Sequence, residues 1–592
     1  MKRSFFVAAA LVSSVSVAQV DISAPQTFTE PALENKDQQK ALQAELFDQL
    51  LATHPDIGAT EMLQISLSHQ DKIDIGEAQC VVACDERSSA ARALESGKVR
   101  DLSHKVDLGS LSRTALKSGQ AISGGVVKIE GSQSAWTAGV RSPGATALRL
   151  NLTNVHLPEG ASLAIYNLTG EAYGPYTLDG LNKSGDFWTH TITGDEAFVR
   201  LSFDDSVKSQ SANLLNFTIA RVAHIGPRFQ VASALSPSAE KAFCSFNDSC
   251  VENGGCYNNS DWAQMENTKD GVAHIQFVSG GSSFICSGGL INDTDSSTQT
   301  PYFLTANHCI SSNAEANSME AFWQFGAGCG GSCYNPNGAV PRTNGATLLS
   351  TSATGDYTLL RLNQNAPSGT TFLGWTASSV ANSNGQDLFR ISHPKGAPQA
   401  YSRHDVSTSI GTCGSWPRGN WIYSTDAIGA TEGGSSGSPV LNASGQVVGQ
   451  LSGACGPNPS DVCDSRNATV DGALAGYFDQ VEEWLDPDTT PPGGGGETYT
   501  GSLSGRNDRD VQPGGTYYQS GAGQHIGTLV GPSNADFDLA LYRWTGSWTR
   551  VRVSQSSSSN ESITYNGAAG FYYWRVYSYS GSGNYTFTLV RP

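Results

Sequence analysis

Between residues 242 and 485 the chain is written in short strand-forming runs, and helical spacing appears only at the end. Val272 to Val278, Tyr302 to Leu304, Thr358 to Leu362 and Val447 to Leu451 are apolar or β-branched runs of strand length. Tyr477, Phe478, Val481, Trp484 and Leu485 then repeat at helical spacing. Many short strands closed by one helix predict a double β-barrel. Only 15% of the residues are charged, and there are 65 glycines. That suits a turn-rich β protein better than a set of charged helices. The 592 residues exceed what a single core organises, so several domains are expected.

The rest of the chain divides around this stretch. Lys2 and Arg3 precede an apolar run from Phe5 to Val12, and Ser16-Val17-Ala18 offers small residues for cleavage. Residues 1–18 therefore read as a secretory signal, the run being too short to anchor in a bilayer. Export places the twelve cysteines in an oxidising compartment, where pairing is the expectation. Cys80 and Cys84 are close enough to pair with each other. Leu42, Leu46 and Leu50 predict a helix within residues 37–53. Residues from about 105 to 222 carry alternating runs such as Thr146, Leu148 and Leu150, and predict a small β-sandwich. Placed after the signal, residues 19–241 read as a propeptide that assists folding or inhibits. Residues 486–496 are a Pro- then Gly-rich linker. Residues 497–592 read as a separate β-domain, with strands at Asp536 to Tyr542 and Phe571 to Tyr577.

Three motifs in residues 242–485 carry chemistry. They are Tyr302-Phe303-Leu304-Thr305-Ala306-Asn307-His308-Cys309, Gly355-Asp356-Tyr357-Thr358 and Thr431-Glu432-Gly433-Gly434-Ser435-Ser436-Gly437-Ser438-Pro439. A serine hydroxyl needs a base to take its proton, and the base needs a third group to hold its tautomer. His308 is the candidate base at a strand end, Asp356 the candidate orienter, and Ser436 the candidate nucleophile. Glycines at 433, 434 and 437 permit a sharp turn and a close approach of backbone to substrate. The N–H groups of Gly434 and Ser436 are candidates for the oxyanion hole. The order His, Asp, Ser is that of the chymotrypsin-type triad, and position 438 is Ser rather than the Gly of a G-x-S-x-G elbow. Neither His-x3-His nor paired C-x2-C runs are present, so no metal and no cofactor is expected. The net charge of −18 argues against nucleic-acid or anionic-membrane partners; protein or peptide substrates are what a triad of this type implies.

Residues 242–485 resemble the trypsin-like serine peptidases, and more closely the bacterial lysyl endopeptidases. The resemblance is carried by Ile285-Cys286-Ser287-Gly288-Gly289-Leu290, by the three motifs above, and by Ser392-His393-Pro394 and Val448-Gly449-Gln450-Leu451. It implies base, orienter and nucleophile roles for His308, Asp356 and Ser436, and a disulfide between Cys286 and Cys309. Asn307 departs from the alanine usual in animal trypsins. Residues 497–592 resemble the bacterial pre-peptidase C-terminal domain, which the resemblance associates with export or with binding insoluble substrate. Asp536 and Asp538 there are read as a solvated strand face rather than a calcium site.

Together these readings describe a secreted serine endopeptidase made as a precursor. Its specificity is expected to favour basic residues, Lys before Arg, on the acyl side of the cut. Selecting a cation requires a matched buried acid. The trypsin position for that acid is Ala430 here. The lysyl endopeptidases place an aspartate about thirty residues after the serine, and the matching position is Thr469, with Asp471 two residues on along the same strand face. Asp471 is the candidate pocket acid, with Asp464 and Glu432 behind it. Two alternatives stay open: a pocket for small or apolar side chains, and a non-catalytic adhesion protein on a peptidase scaffold.

Overall fold

The computed structural model describes residues 27–591 apart from several stretches, the longest being 76–92, 109–116, 178–184, 205–214, 227–243 and 487–496. The signal-like start, Cys80 and Cys84, the connection from Ser233 to Phe243 and all of the linker but Asp486 lie outside the described residues. The described residues are 49% strand and 10% helix. The chain forms two compact units, Met1–Pro487 and Asp488–Pro592.

The first unit opens with α1 (Lys36–Ala52). Of its periodic leucines, Leu50 is buried against Ala164, Tyr166 and Phe198, Leu46 is half-buried, and Leu42 is exposed. Among the described side chains of the helix, those toward its C-terminal end pack down. The sandwich that receives it is built from β1 (Leu94–Asp107), β2 (Gln133–Arg141), β3 (Ala147–His156), β4 (Ala161–Tyr166), β5 (Glu196–Asp204) and β6 (Asn216–Ile225). β2, β5 and β4 neighbour one another in one sheet, and β3, β6 and β1 in the other. Trp136, Leu148, Leu150, Leu163, Leu201 and Phe217 fill the space between them. The other face of β3 is buried too, because Arg149 and Asn151 point away from that core and are still nearly inaccessible.

The reason is that the sandwich does not stand apart. β1 is long enough to pair with β6 along most of its length and with a barrel strand at its start. Residues 94–104 therefore lie in the strand, earlier than the alternating pattern near residue 105 predicts. The barrel strand is β8 (Ser282–Ile291), which follows β7 (Val272–Ser279) through Gly280 and Gly281, both at positive φ. β9 (Tyr302–Thr305), β10 (Glu320–Trp323) and β11 (Tyr357–Leu362) extend this sheet, with β9 between β8 and β11. Phe277, Phe303, Trp323 and Leu360 form its core.

The second barrel is closed by six strands. β12 (Asp387–Ser392), β13 (Ala400–Val406), β14 (Trp421–Ile428), β15 (Pro439–Asn442), β16 (Val447–Cys455) and β17 (Ala468–Ala473) run in the ring β13-β12-β15-β16-β17-β14 and back to β13. The architecture is the β-rich double-barrel, chymotrypsin-like fold. The terminal helix differs from its expected form. Tyr477, Val481 and Leu485 are buried at the expected spacing, but the backbone is broken into short turns at 474–477, 478–480 and 482–485. Tyr477 is the anchor that interrupts it, stacked on Tyr357 at 4.0 Å and bonded to Gln450 Oε1.

Ten cysteines form five disulfides: Cys244–Cys333, Cys250–Cys463, Cys256–Cys329, Cys286–Cys309 and Cys413–Cys455. The second unit is two facing β-sheets around Phe537, Leu539, Trp574 and Phe587. In it Asp538 is buried and accepts from Gln555 Nε2 at 3.3 Å, so the expectation of a solvated Asp538 is corrected.

Candidate active site

β9 ends in Thr305, and the next residues fold into one tight turn, with Cys309 and Ile310 N–H both donating to Ala306 O. His308 projects from that turn. Asp356 sits just before β11 in left-handed backbone, φ 48°, a conformation that Asp adopts more readily than most residues. Gln450 Nε2 on β16 donates to Gly355 O and Asp356 O, each at 3.0 Å, and steadies the bend. The carboxylate of Asp356 accepts the His308 backbone N–H on Oδ1 at 2.9 Å and faces His308 Nδ1 on Oδ2 at 2.7 Å. A carboxylate only accepts, so Nδ1 carries the proton and Nε2 is the ring's acceptor. Nε2 is buried and bonds none of the described residues.

The Ser436 turn is fixed from several sides. Ser435 N–H donates to Glu432 O at 2.9 Å, Ser438 N–H to Ser435 O at 3.0 Å, and Gly437 N–H to Leu451 O at 2.8 Å. Gly437 has φ 78°, and a Cβ there would meet Thr305 Oγ1 at 2.2 Å; Gly434 has φ 97° against the backbone of His393 and Lys395. Only glycine fits either position. Ser436 itself is nearly buried, and its carbonyl accepts from Ser287 N–H at 2.8 Å. Ser287 follows Cys286 on β8, and Cys286 is bonded to Cys309 beside His308. One strand thus holds both the serine turn and the histidine turn. Ser436 Oγ and His308 Nε2 are not hydrogen-bonded to each other, as is common before substrate aligns such a pair. Among the described residues, nothing accepts from Gly434 N–H or Ser436 N–H. These two donors flank the serine.

Among the described residues, one group of three side chains has metal-ligand spacing: Cys286, His308 and Cys309. The two sulfurs are already joined to each other, which leaves a single ligand.

The acids named for the pocket are placed differently. Asp471 on β17 is inaccessible, and its Oδ1 accepts from the equally inaccessible Arg390 Nη2 at 2.5 Å. A carboxylate already matched by a buried guanidinium is not presented to an incoming cation. Asp464 lies with Arg466 at the surface. Glu432 accepts from Asn247 Nδ2 at 2.6 Å, Asp248 N–H at 3.0 Å and Lys395 Nζ at 2.7 Å. Thr469, which matched the expected acid position, does touch a carboxylate: its Oγ1 donates to Asp426 Oδ1 at 2.8 Å. His404 Nδ1 meets the same oxygen at 2.7 Å, and the Asp426 side chain is 26% exposed. Burial works against ionisation of Asp426, but its bonds from His404 and Thr469 outweigh it and hold the pKa below the usual aspartate value. Sequence reasoning missed Asp426, His404 and Arg390. Arg390 alone left a trace, as a charge inside the apolar run Leu388-Phe389-Arg390-Ile391.

Residues 246–466 match the family model described as the lysyl endopeptidase C-terminal domain. A lysyl endopeptidase of Pseudomonas aeruginosa is 27% identical over 348 residues, covering 58% of this chain and 72% of that protein. Among solved structures, a serine endoprotease of Yersinia pestis is similar with 18% identity and a TM-score of 0.26, covering 41% of this chain and 71% of its own. The pre-peptidase C-terminal domain of a Bacillus anthracis collagenase matches with 21% identity and a TM-score of 0.15, covering 16% of this chain and 89% of its own. The double-barrel fold and the family match define a serine endopeptidase. More narrowly, residues 246–466 are similar to the lysyl endopeptidases.

Proposed function

We propose that the chain is the precursor of a secreted serine endopeptidase in which His308, Asp356 and Ser436 act as base, orienter and nucleophile. The observation that carries this is the two-point hold of Asp356 on His308, which turns the buried Nε2 away from Asp356 as the ring nitrogen left for the serine. His308 Nε2 takes the proton of Ser436 Oγ as Oγ attacks the substrate carbonyl carbon. The oxyanion is met by Gly434 N–H and Ser436 N–H, neither of which is spent on an acceptor among the described residues. Collapse breaks the peptide bond, and His308 gives its proton to the leaving amine. Water then repeats the cycle on the ester and frees the acid.

Residues 19–241 are proposed as the propeptide and residues 1–18 as its export signal, in keeping with five disulfides in the remainder. Protein chains are the substrates, with a basic residue, Lys before Arg, on the acyl side. For that preference Asp426 is the better-placed carboxylate: it is ionised, partly exposed and bonded to Thr469. The test is fluorophosphonate labelling followed by peptide mapping. Label on Ser436, absent from Ser436→Ala, supports the reading, and turnover should fall on the order of 10⁶-fold in that variant. A Ser436→Ala chain that keeps a tenth of the activity would sink it.

A further inference from the structure

β1 starts in the sandwich segment, but its first residues belong to the barrel. Leu94 pairs with Ile285 and Glu95 with Phe284 on β8, antiparallel, and Gly97 and Lys98 continue along Ser283 and Ser282. Moving back along β1 toward Ala93 therefore moves along β8 toward Cys286 and then Ser287, whose N–H holds the Ser436 carbonyl. Ala93 packs against the cluster that contains Cys286 and Cys309. Leu94 lies on the other wall: a methyl built on Gly433 would sit 3.6 Å from Leu94 Cδ2. Ala93 and Leu94 thus lead away from the serine turn, between the disulfide beside His308 and the glycine that opens the turn.

A peptide in extended form can add to such an edge through its backbone, and side-chain positions along it give preference. We infer that Ala93-Leu94-Glu95 lies on the edge of β8 at Phe284 and Ile285 as the chain's own product-like ligand, in place of the substrate residues that follow the scissile bond. The inference rests on Ser436 being the nucleophile. It assigns a small residue directly after the cut, where Ala93 meets the disulfide cluster, and an apolar one next, where Leu94 meets Gly433. It also makes the sandwich a competitor for substrate. The register is pinned by Ser96 Oγ donating to Ser283 Oγ at 3.1 Å. A second seam holds the sandwich down, with Arg149 of β3 reaching Glu320 of β10, both inaccessible.

The test uses the full chain carrying Ser436→Ala, titrated with a fluorescent peptide reading Ala-Ala-Lys-Ala-Leu-Glu and followed by anisotropy. Adding Leu94→Asp, or the milder Leu94→Ser in case the first misfolds, should tighten binding by about tenfold or more as the competitor lets go. Equal affinities in all three chains, including no binding by any, overturn the inference. Replacing the peptide's Leu by Asp should weaken its binding to the Leu94→Ser chain by about fivefold or more; no change overturns the assigned preference. Fluorophosphonate labelling of the Leu94→Ser chain with Ser436 intact separates the two possible failures. Labelling alongside equal affinities removes this inference alone, whereas no labelling removes the reading of Ser436.

Discussion

Asp356 grips His308 twice, through the ring at 2.7 Å and through the backbone N–H at 2.9 Å. The second bond fixes the turn, so the first cannot swing away when the ring changes protonation. Asp356→Asn should therefore leave the turn in place, because Asn Oδ1 still accepts the backbone N–H. The amide then turns its Nδ2 donor to Nδ1, which selects the wrong tautomer. Turnover is expected to fall by roughly 10⁴-fold with little change in melting temperature. A variant within tenfold of the parent would show that Asp356 does not orient the base.

Acid should loosen the floor beneath the serine turn. His393 is buried, stacked on Phe325, and its N–H donates to Ser287 Oγ. Burial pushes its pKa down to about 4, and burial with His393 nearby pushes His274 well down too. A histidine whose folded pKa is depressed binds its proton more readily when unfolded. Its contribution is complete above its ordinary value of 6.5 and is lost as pH falls from there toward the folded value. For His393 alone the loss by pH 4 is on the order of 3 kcal/mol. Melting temperature measured from pH 8 to 4 should drop below pH 6.5, and His393→Gln should flatten part of that slope. An unchanged slope would place the acid sensitivity elsewhere.

Local patterning reached far into this fold, and the places where it stopped have a physical cause. The runs at 272–278, 302–304, 358–362 and 447–451 coincide with strands because strand length and apolar content are local properties. The contexts of His308, Asp356 and Ser436 were equally local. The pairing of Leu94 with Ile285 was not legible, since partners so distant in sequence leave no periodic trace in either run. Asp471 shows the same limit at one residue. Alternation along β17 says which face it occupies, but not that Arg390 waits across it. The broken terminal helix is a third case, where spacing picked out the buried side chains and Tyr477's tertiary anchor decided the backbone.

Glu320 is a single buried carboxylate serving two buried guanidinium groups. Its Oε1 lies 2.8 Å from Arg342 Nη1, its Oε2 3.6 Å from Arg149 Nε, and Thr191 Oγ1 donates to Oε2 at 2.6 Å. Glu320→Gln keeps the shape and removes the charge, leaving both arginines uncompensated. A cost of about 3–5 kcal/mol is expected, concentrated where sandwich meets barrel. Urea unfolding of the full chain carrying Ser436→Ala should show its first transition at lower denaturant. Coincident curves for parent and variant would mean that the seam contributes nothing.

The specificity question turns on two aspartates whose removal should do different things. Asp471 is sealed against Arg390, so Asp471→Asn strands a guanidinium in the core. The expected result is destabilisation of about 3–5 kcal/mol with the Lys/Leu preference of the surviving enzyme unchanged. Asp426 lies on β14, which pairs with β17, which pairs with β16, whose Leu451 is bonded to the serine turn. The Asp426 carboxylate is bonded to Thr469, the position matched to the expected acid, and is partly exposed. Asp426→Asn keeps a hydrogen-bond partner for Thr469 and removes the charge. It should lower the Lys/Leu ratio on paired ester substrates by about thirtyfold or more, with a small effect on melting temperature. If the parent already prefers Leu, the pocket is apolar and the basic preference is withdrawn. If Asp471→Asn, and not Asp426→Asn, shifts the ratio, Asp471 is the pocket acid and the Arg390 pair opens when substrate binds.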